Sequence, residues 1–185
     1  MHIRPAKSTE SWPIAELINL AMLEITYQFI GKEDLREANA FIAHFVEQEG
    51  NQYSYQNIFV AVEEDEIIGQ ICLYDGAELK TLRQPILNRI FEKYGVNYQA
   101  ADETQVDEMY IDTFAVCPLA QGKGVGKQLL TFAIDYFAHQ QKQTLGLLVD
   151  RDNPNAKRLY ERLGFKVTNE VNIFGKAMDH MQHTP

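Results

Sequence analysis

The sequence predicts a mixed α/β fold: a central sheet of about seven strands flanked by helices, with a helical insertion between strands 3 and 4. Three observations carry this. Runs rich in β-branched and aromatic residues alternate with segments whose apolar residues recur at helical spacing, in the order βααββ, an inserted helix, then βαβαββ. The stretch Met109 to Leu130, MYIDTFAVCPLAQGKGVGKQLL, reads as strand, break, glycine turn and helix start. The 185 residues show no repeat, low-complexity tract or clear linker, so one domain over 1–185 is expected.

The elements follow in order. His2 to Ala6 reads as a first strand. Ser11-Trp12-Pro13 opens a helix with Ser11 as N-cap, and Ile14, Leu17, Ile18, Ala21, Met22 and Ile25 form its apolar face. That helix is expected to fray over Tyr27 to Gly31. Asp34 caps a second helix carrying Leu35, Ala38, Phe41, Ile42, Phe45 and Val46, stopped at Gly50-Asn51. Ile58 to Val62 and Ile67 to Tyr74 form a hairpin across the acidic turn Glu63 to Glu66. Ala77 to Tyr94 is helical by spacing, with a kink or a break expected at Pro85. Val96 to Val106 is polar and loop-like. Tyr110 to Val116 is a strand that Pro118 ends. A helix then runs to about Gln141, and Thr144 to Val149 is the next strand. Asn153 and Pro154 start a helix that Gly164 stops. Phe165 to Thr168 and Ile173 to Met181 read as closing strands.

Composition sets outer bounds. The chain is 45% hydrophobic and 23% charged, ordinary for a globular protein. Its net charge of -9 argues against a general nucleic-acid binder, which needs a basic face. An acidic surface mildly favours cationic substrates, but keeping the chain soluble is the reading that weighs more. The two cysteines, Cys72 and Cys117, lie in apolar strand-like runs and do not look like a disulfide pair, which fits a reducing, cytoplasmic setting. No apolar run approaches the ~18 residues of a membrane span, and the N-terminus does not read as a signal peptide.

The glycine turn, Gln121 to Gly126, feeds a helix N-terminus and so presents free N–H groups and a partial positive charge: an anion site. Two phosphate motifs fail against it. GxxxxGK[ST] needs glycine at 121 and Ser or Thr at 128, where the chain has Gln121 and Gln128. GxGxxG needs glycine at 127 or 129, where the chain has Lys127 and Leu129. The pattern [QR]xxGx[GA] does fit, at Gln121, Gly124 and Gly126. Downstream, Asn153 to Phe165 (NPNAKRLYERLGF) matches NxxAxxLYxxxGF.

These two signatures, in this order and separated by one strand and helix, resemble the GCN5-related N-acetyltransferase superfamily. The resemblance covers Ile3 to Met181 in element order and is sharpest over Met109 to Phe165. The segment 76–106 departs from it, being longer than a simple hairpin.

The resemblance implies fold, donor and roles. Acetyl-CoA is the implied cosubstrate, with its pantetheine arm along the backbone of Phe114, Ala115 and Val116. Its pyrophosphate would rest on the turn of Gln121, Gly122, Lys123, Gly124, Val125, Gly126 and Lys127. The two lysines can equally be a solvated helix face. Asn153 would bind the arm, cap its helix, or do both. The Val116 N–H is the implied oxyanion donor, and Tyr160 the implied acid for the leaving thiolate, with a core aromatic as its alternative.

The base is less determined. Glu108, Tyr110, Asp112 and Phe114 share one strand face by period-two alternation. Tyr110 aligns with a position where some relatives carry glutamate, but tyrosine is a poor base at pH 7. Asp112 is nearer the cofactor gap, and Glu108 reads as a surface or hydrogen-bonded residue. Cys117 reads as a small apolar strand end rather than an acyl carrier. His180 and His183 lack a third ligand for a metal, and are expected to be solvated or substrate-facing. The resemblance places the acceptor near Tyr27, Phe29 and the strand Ile173 to Met181. Relatives often dimerise, and no stretch here requires it.

The function expected is direct acetyl transfer from acetyl-CoA to a primary amine of a small molecule or protein. The rivals are a coenzyme A-binding module without catalysis and another kind of nucleotide binder.

Overall fold

The computed structural model describes residues 1–173 and 175–185. Among them, seven strands form one sheet: β1 (His2–Pro5), β2 (Ile58–Glu63), β3 (Glu66–Asp75), β4 (Glu108–Val116), β5 (Thr144–Asp150), β6 (Lys166–Ile173) and β7 (Lys176–His183). Their order is β1-β2-β3-β4-β5-β7-β6. Only β4 and β5 are parallel among these pairs; the others are antiparallel. The mixed sheet expected from the sequence is therefore present. The closing strands differ from expectation, since β6 runs on to Ile173 and β7 begins at Lys176. Position 174, which falls in the expected strand Ile173 to Met181, lies outside the described residues.

Helices cover both faces. α1 (Ser11–Ile30), α2 (Leu35–Val46) and α3 (Leu79–Tyr94) pack with Ile58, Val60, Val62 and Cys72. α4 (Val125–Ala133) and α5 (Pro154–Arg162) pack with Ile71, Leu73, Ile111 and Leu147 on the other face. A seven-residue π-helical segment, Ile134–Gln140, continues α4 to the end expected from the sequence.

Three helix expectations are corrected. Ser11 lies inside the helix rather than capping it, because a 3₁₀ turn at Ser8–Glu10 precedes it. The Ser11 hydroxyl instead donates to Glu47 Oε1 at 2.7 Å. α1 does not fray over Tyr27 to Gly31; it is helical to Ile30 and ends on Gly31 in the left-handed region, while its irregularity falls at Met22 (φ -134°, ψ 24°). Phe29 and Ile30 are buried there, so packing holds the last turn. Pro85 does not divide α3, which stays one helix. Burial of Ile86 and Ile90 beside it offsets the ~3 kcal/mol that an interior proline costs.

Candidate active site

The parallel pairing of β4 with β5 ends at Ile111 opposite Leu147. Beyond it, Leu148, Val149 and Asp150 pair with β7. The strands part where β4 bulges: Leu73 and Cys72 are adjacent on β3, yet pair with Ile111 and Thr113. Asp112 is the extra residue, and a bulge bends its strand. A cleft of about 1500 Å³ opens at this fork.

The bulge also corrects the expected alternation. Glu108, Tyr110 and Asp112 share the α1–α3 face, but Phe114 does not. After the extra residue the phase shifts, so Thr113 bonds to Gln70 on that face, while Phe114 and Val116 pack under α4. Cys117 N–H donates to Ile68 O. By the alternation of an antiparallel ladder, the backbone N–H groups of Phe114 and Val116 therefore point away from β3, into the fork.

The glycine turn closes one end of the cleft. Gly122 (φ 76°) and Gly124 (φ 84°) take left-handed conformations, with open space where a side chain would stand. The bond from Gln128 N–H to Gly124 O is helical, so the Val125, Gly126 and Lys127 N–H groups have no acceptor within α4. Gly126 lets α4 sit close on β4, since a Cβ there would come within 3.0 Å of Phe114 Cζ. Open glycine backbone, free amides and Lys127 at the cleft wall fit the phosphate end of coenzyme A. Lys123 is exposed and lies outside the lining, so it matches the solvated alternative better. Gln121 lines the cleft, while its Nε2 donates to Val116 O at 3.1 Å. Asn153 caps α5, its Oδ1 accepting from Ala156 N–H at 3.1 Å, and borders the cleft as well.

The opposite side of the cleft carries a polar cluster. Gln52 Nε2 lies 2.8 Å from Tyr74 Oη, 3.2 Å from Asp112 Oδ2 and 3.3 Å from Glu103 Oε1. Tyr74 and Asp112 thus share the Gln52 amide. Arg83, buried on α3, holds Glu103 Oε2 at 2.9 Å and the Ala101 carbonyl at 2.9 Å. Burial pushes both carboxyls above the usual range, Glu103 to about 7 and Asp112 to about 6. Arg83 opposes this but does not cancel it. The two acids titrate as a pair. Glu103 and Arg83 both belong to the 76–106 insertion and escaped the sequence reading. The polar run Val96 to Val106 has no period, and the partners of Glu103 are distant in sequence.

The remaining candidates fall as follows. Tyr160 lines the cleft from α5, packs edge-on against Phe165, and is pushed up to about 12 by burial. Its hydroxyl thus keeps its proton at neutral pH. Tyr110 is 4% exposed, and burial raises it well above the ordinary tyrosine value, which removes it as a base. Ala115 lines the cleft beside Phe114 and Val116, while Cys117 does not. The expectation of a solvated or substrate-facing histidine at 180 is corrected. His180 is buried, with Nε2 3.0 Å from Glu108 Oε1 and Nδ1 3.0 Å from Thr168 Oγ1. Glu108 is interior and hydrogen-bonded, the second of its two expected states. Phe29 lines the cleft and meets Tyr98 edge-on, with ring centres 4.8 Å apart, while Tyr27 stays outside the lining. Met178 is the residue of β7 that reaches the lining.

The chain belongs to the Acetyltransferase (GNAT) family, whose model matches residues 21–165. Over 73 residues it is 45% identical to a mycothiol acetyltransferase of Streptomyces scabiei (strain 87.22), covering 40% of this chain and 23% of that protein. Over 89 residues it is 30% identical to spermine/spermidine N(1)-acetyltransferase of Bacillus subtilis (strain 168), covering 48% of this chain and 59% of that protein. The chain thus matches less than two thirds of either relative's length. A crystal structure of an acetyltransferase aligns at TM-score 0.83 with 29% identity, covering 100% of this chain and 99% of that one. An N-acetyltransferase from Staphylococcus aureus Mu50 aligns at TM-score 0.85 with 20% identity, covering 99% and 100%, which shows the fold alone. Among the described residues no helix is long and apolar enough to cross a membrane.

Proposed function

We propose that this protein transfers an acetyl group from acetyl-CoA directly to a primary amine. The fork between β4 and β5, with the glycine turn at its end, is the observation that carries this reading. The backbone of Phe114 to Val116, the amides of Val125 to Lys127 and the side chain of Asn153 would hold the donor. When bound, acetyl-CoA supplies a thioester carbonyl that an amine can attack.

The chain's own groups then have defined tasks. An alkyl ammonium with pKa ~10.4 is only roughly one part in two thousand deprotonated at pH 7. A base is therefore required, and Asp112, raised to about 6, is matched to it. The Val116 N–H supplies a fixed donor for negative charge developing on oxygen. Tyr160 Oη holds a proton for the departing sulfur.

Thiol release from acetyl-CoA, followed across a panel of amines, tests the reading. Release that depends on one class of amine supports it. Tight coenzyme A binding with no release from any amine replaces it with a binding module.

A further inference from the structure

Resting on that acetyl-transfer reading, the geometry points to the acceptor: a primary amine with a single cationic centre on an apolar body, seated by Glu103 together with Asp112. We infer that the 76–106 insertion is the specificity element, and that Glu103 is the residue by which it acts.

Consider what the acceptor half of the cleft offers. Its walls are Ile25 and Phe29 from α1, Ile86 and Leu87 from α3, and Tyr98 from the segment after α3. Anionic groups gather at one place on this side, where Glu103 and Asp112 both reach the Gln52 amide. The side chain of Glu103 is 10% exposed, enough for contact with a ligand in the cleft and too little for bulk water to satisfy it.

Charge counting then discriminates. With Arg83 paired to Glu103, the cluster carries at most one net negative charge, which matches a single ammonium. A second ammonium further along the same molecule would lie against Phe29, Ile86, Leu87 and Tyr98 with no counter-ion, and burying an unpaired charge is costly. An alkyl or aryl body meets the same walls favourably, at about 25 cal/mol per Å² removed from water. A polyamine is therefore the poorer fit, even though one relative in part of its length is named for spermine and spermidine.

Arg83 positions Glu103 and offsets one of the pair's two charges. Its guanidinium binds the Glu103 Oε2 edge and the Ala101 carbonyl, leaving Oε1 toward Gln52 and Asp112. The proton leaving the ammonium passes to the pair, the amine lone pair forms the new C–N bond, the C–S bond breaks, the Tyr160 Oη proton goes to sulfur, and the second N–H proton restores Tyr160. The pair then returns its proton to solvent.

The test pairs turnover with binding. Wild-type protein and Glu103→Gln are assayed with phenethylamine, hexylamine and spermidine, by thiol release and by calorimetric titration of each amine into coenzyme A-saturated protein. Glutamine keeps the volume and an acceptor for Arg83. The expected result is a preference for the monoamines of at least tenfold in kcat/KM. Glu103→Gln should weaken monoamine binding and raise amine KM at least tenfold, with acetyl-CoA KM unchanged. A preference for spermidine, or monoamine binding untouched by Glu103→Gln, overturns the inference while leaving acetyl transfer standing. No release from any amine overturns acetyl transfer and this inference with it. Thermal melting checks that the variant is folded, and Glu103→Asp supplies the arm that keeps charge if glutamine does not fold.

Discussion

Gly146 lies directly against the Glu108 carboxylate, so closely that a Cβ at position 146 would overlap its oxygens. The two residues come from strands that pair in parallel, and the absent side chain of one makes room for the buried charge of the other. That carboxylate accepts from Gln105 N–H at 3.0 Å and from Gln182 Nε2 at 2.8 Å, and contacts His180 Nε2 at 3.0 Å. It thereby ties the exit of the 76–106 insertion to β4 and β7.

Gly146→Ala should therefore unseat Glu108 and loosen the insertion. Overpacking costs ~1–3 kcal/mol, and the disturbed buried charge moves this toward the upper end. Urea unfolding checks it. A midpoint equal to that of the wild type rules out the close contact.

Asp112 links activity to stability. Burial raises its carboxyl to about 6, against Glu103, Tyr53, Tyr74 and Arg83 around it. The folded state thus prefers the protonated acid. Stability from this group is complete below its unfolded value of about 4 and is lost as pH rises through about 6. Asp112→Asn removes that dependence and still accepts from Gln52. The variant should match the wild type at pH 4 and exceed it at pH 8 by on the order of 3 kcal/mol, as urea midpoints report. The ascending limb of its pH–rate profile should disappear, together with most of the turnover. An Asn variant that keeps that limb excludes Asp112 as the base.

Tyr160→Phe separates chemistry from binding. The ring packing on Phe165 survives the change, while the proton held at Oη does not. Turnover should fall about 10²-fold, in the range of general acid catalysis, with coenzyme A binding altered less than about threefold. Pre-steady-state thiol release checks this against a slow product-release step. Wild-type turnover in the variant returns Tyr160 to the role of a packing residue.

The glycine turn and the cap of α5 were legible in the sequence because they are local features. Gln121 to Gly126 and Asn153 to Phe165 are short segments whose turns, caps and helix starts follow from neighbouring residues. The polar cluster on the opposite side of the cleft was not. Asp112 sits on a bulge that two adjacent residues of β3 create, and no alternation along β4 alone reveals it. Glu103 is held by Gln52 and Arg83, and His180 is buried because Glu108, 72 positions earlier, receives it. Such contacts are set by tertiary packing. The helical part of the insertion, by contrast, shows its period in Leu79, Ile86 and Ile90, all buried as the spacing implies.

Gly122 and Gly124 give the last prediction. Both have backbone angles that a side chain disfavours by ~1–2 kcal/mol, and open space surrounds both positions. Alanine therefore meets no steric clash and acts through the backbone. It strains the turn or flips it out of the left-handed region, and either change turns amides away from the end of the cleft. Gly124 precedes α4 directly, so its conformation aims the Val125, Gly126 and Lys127 N–H groups. Gly124→Ala should raise acetyl-CoA KM about tenfold, the equivalent of ~1.4 kcal/mol, with amine KM and saturated turnover little changed. Gly122→Ala should do less, being further from the helix start. Lys127→Ala supplies the electrostatic comparison, since its effect should shrink as salt is raised, whereas the glycine effects should not. Equal loss of acetyl-CoA and amine affinity in Gly124→Ala would show that the turn supports the whole cleft rather than its phosphate end.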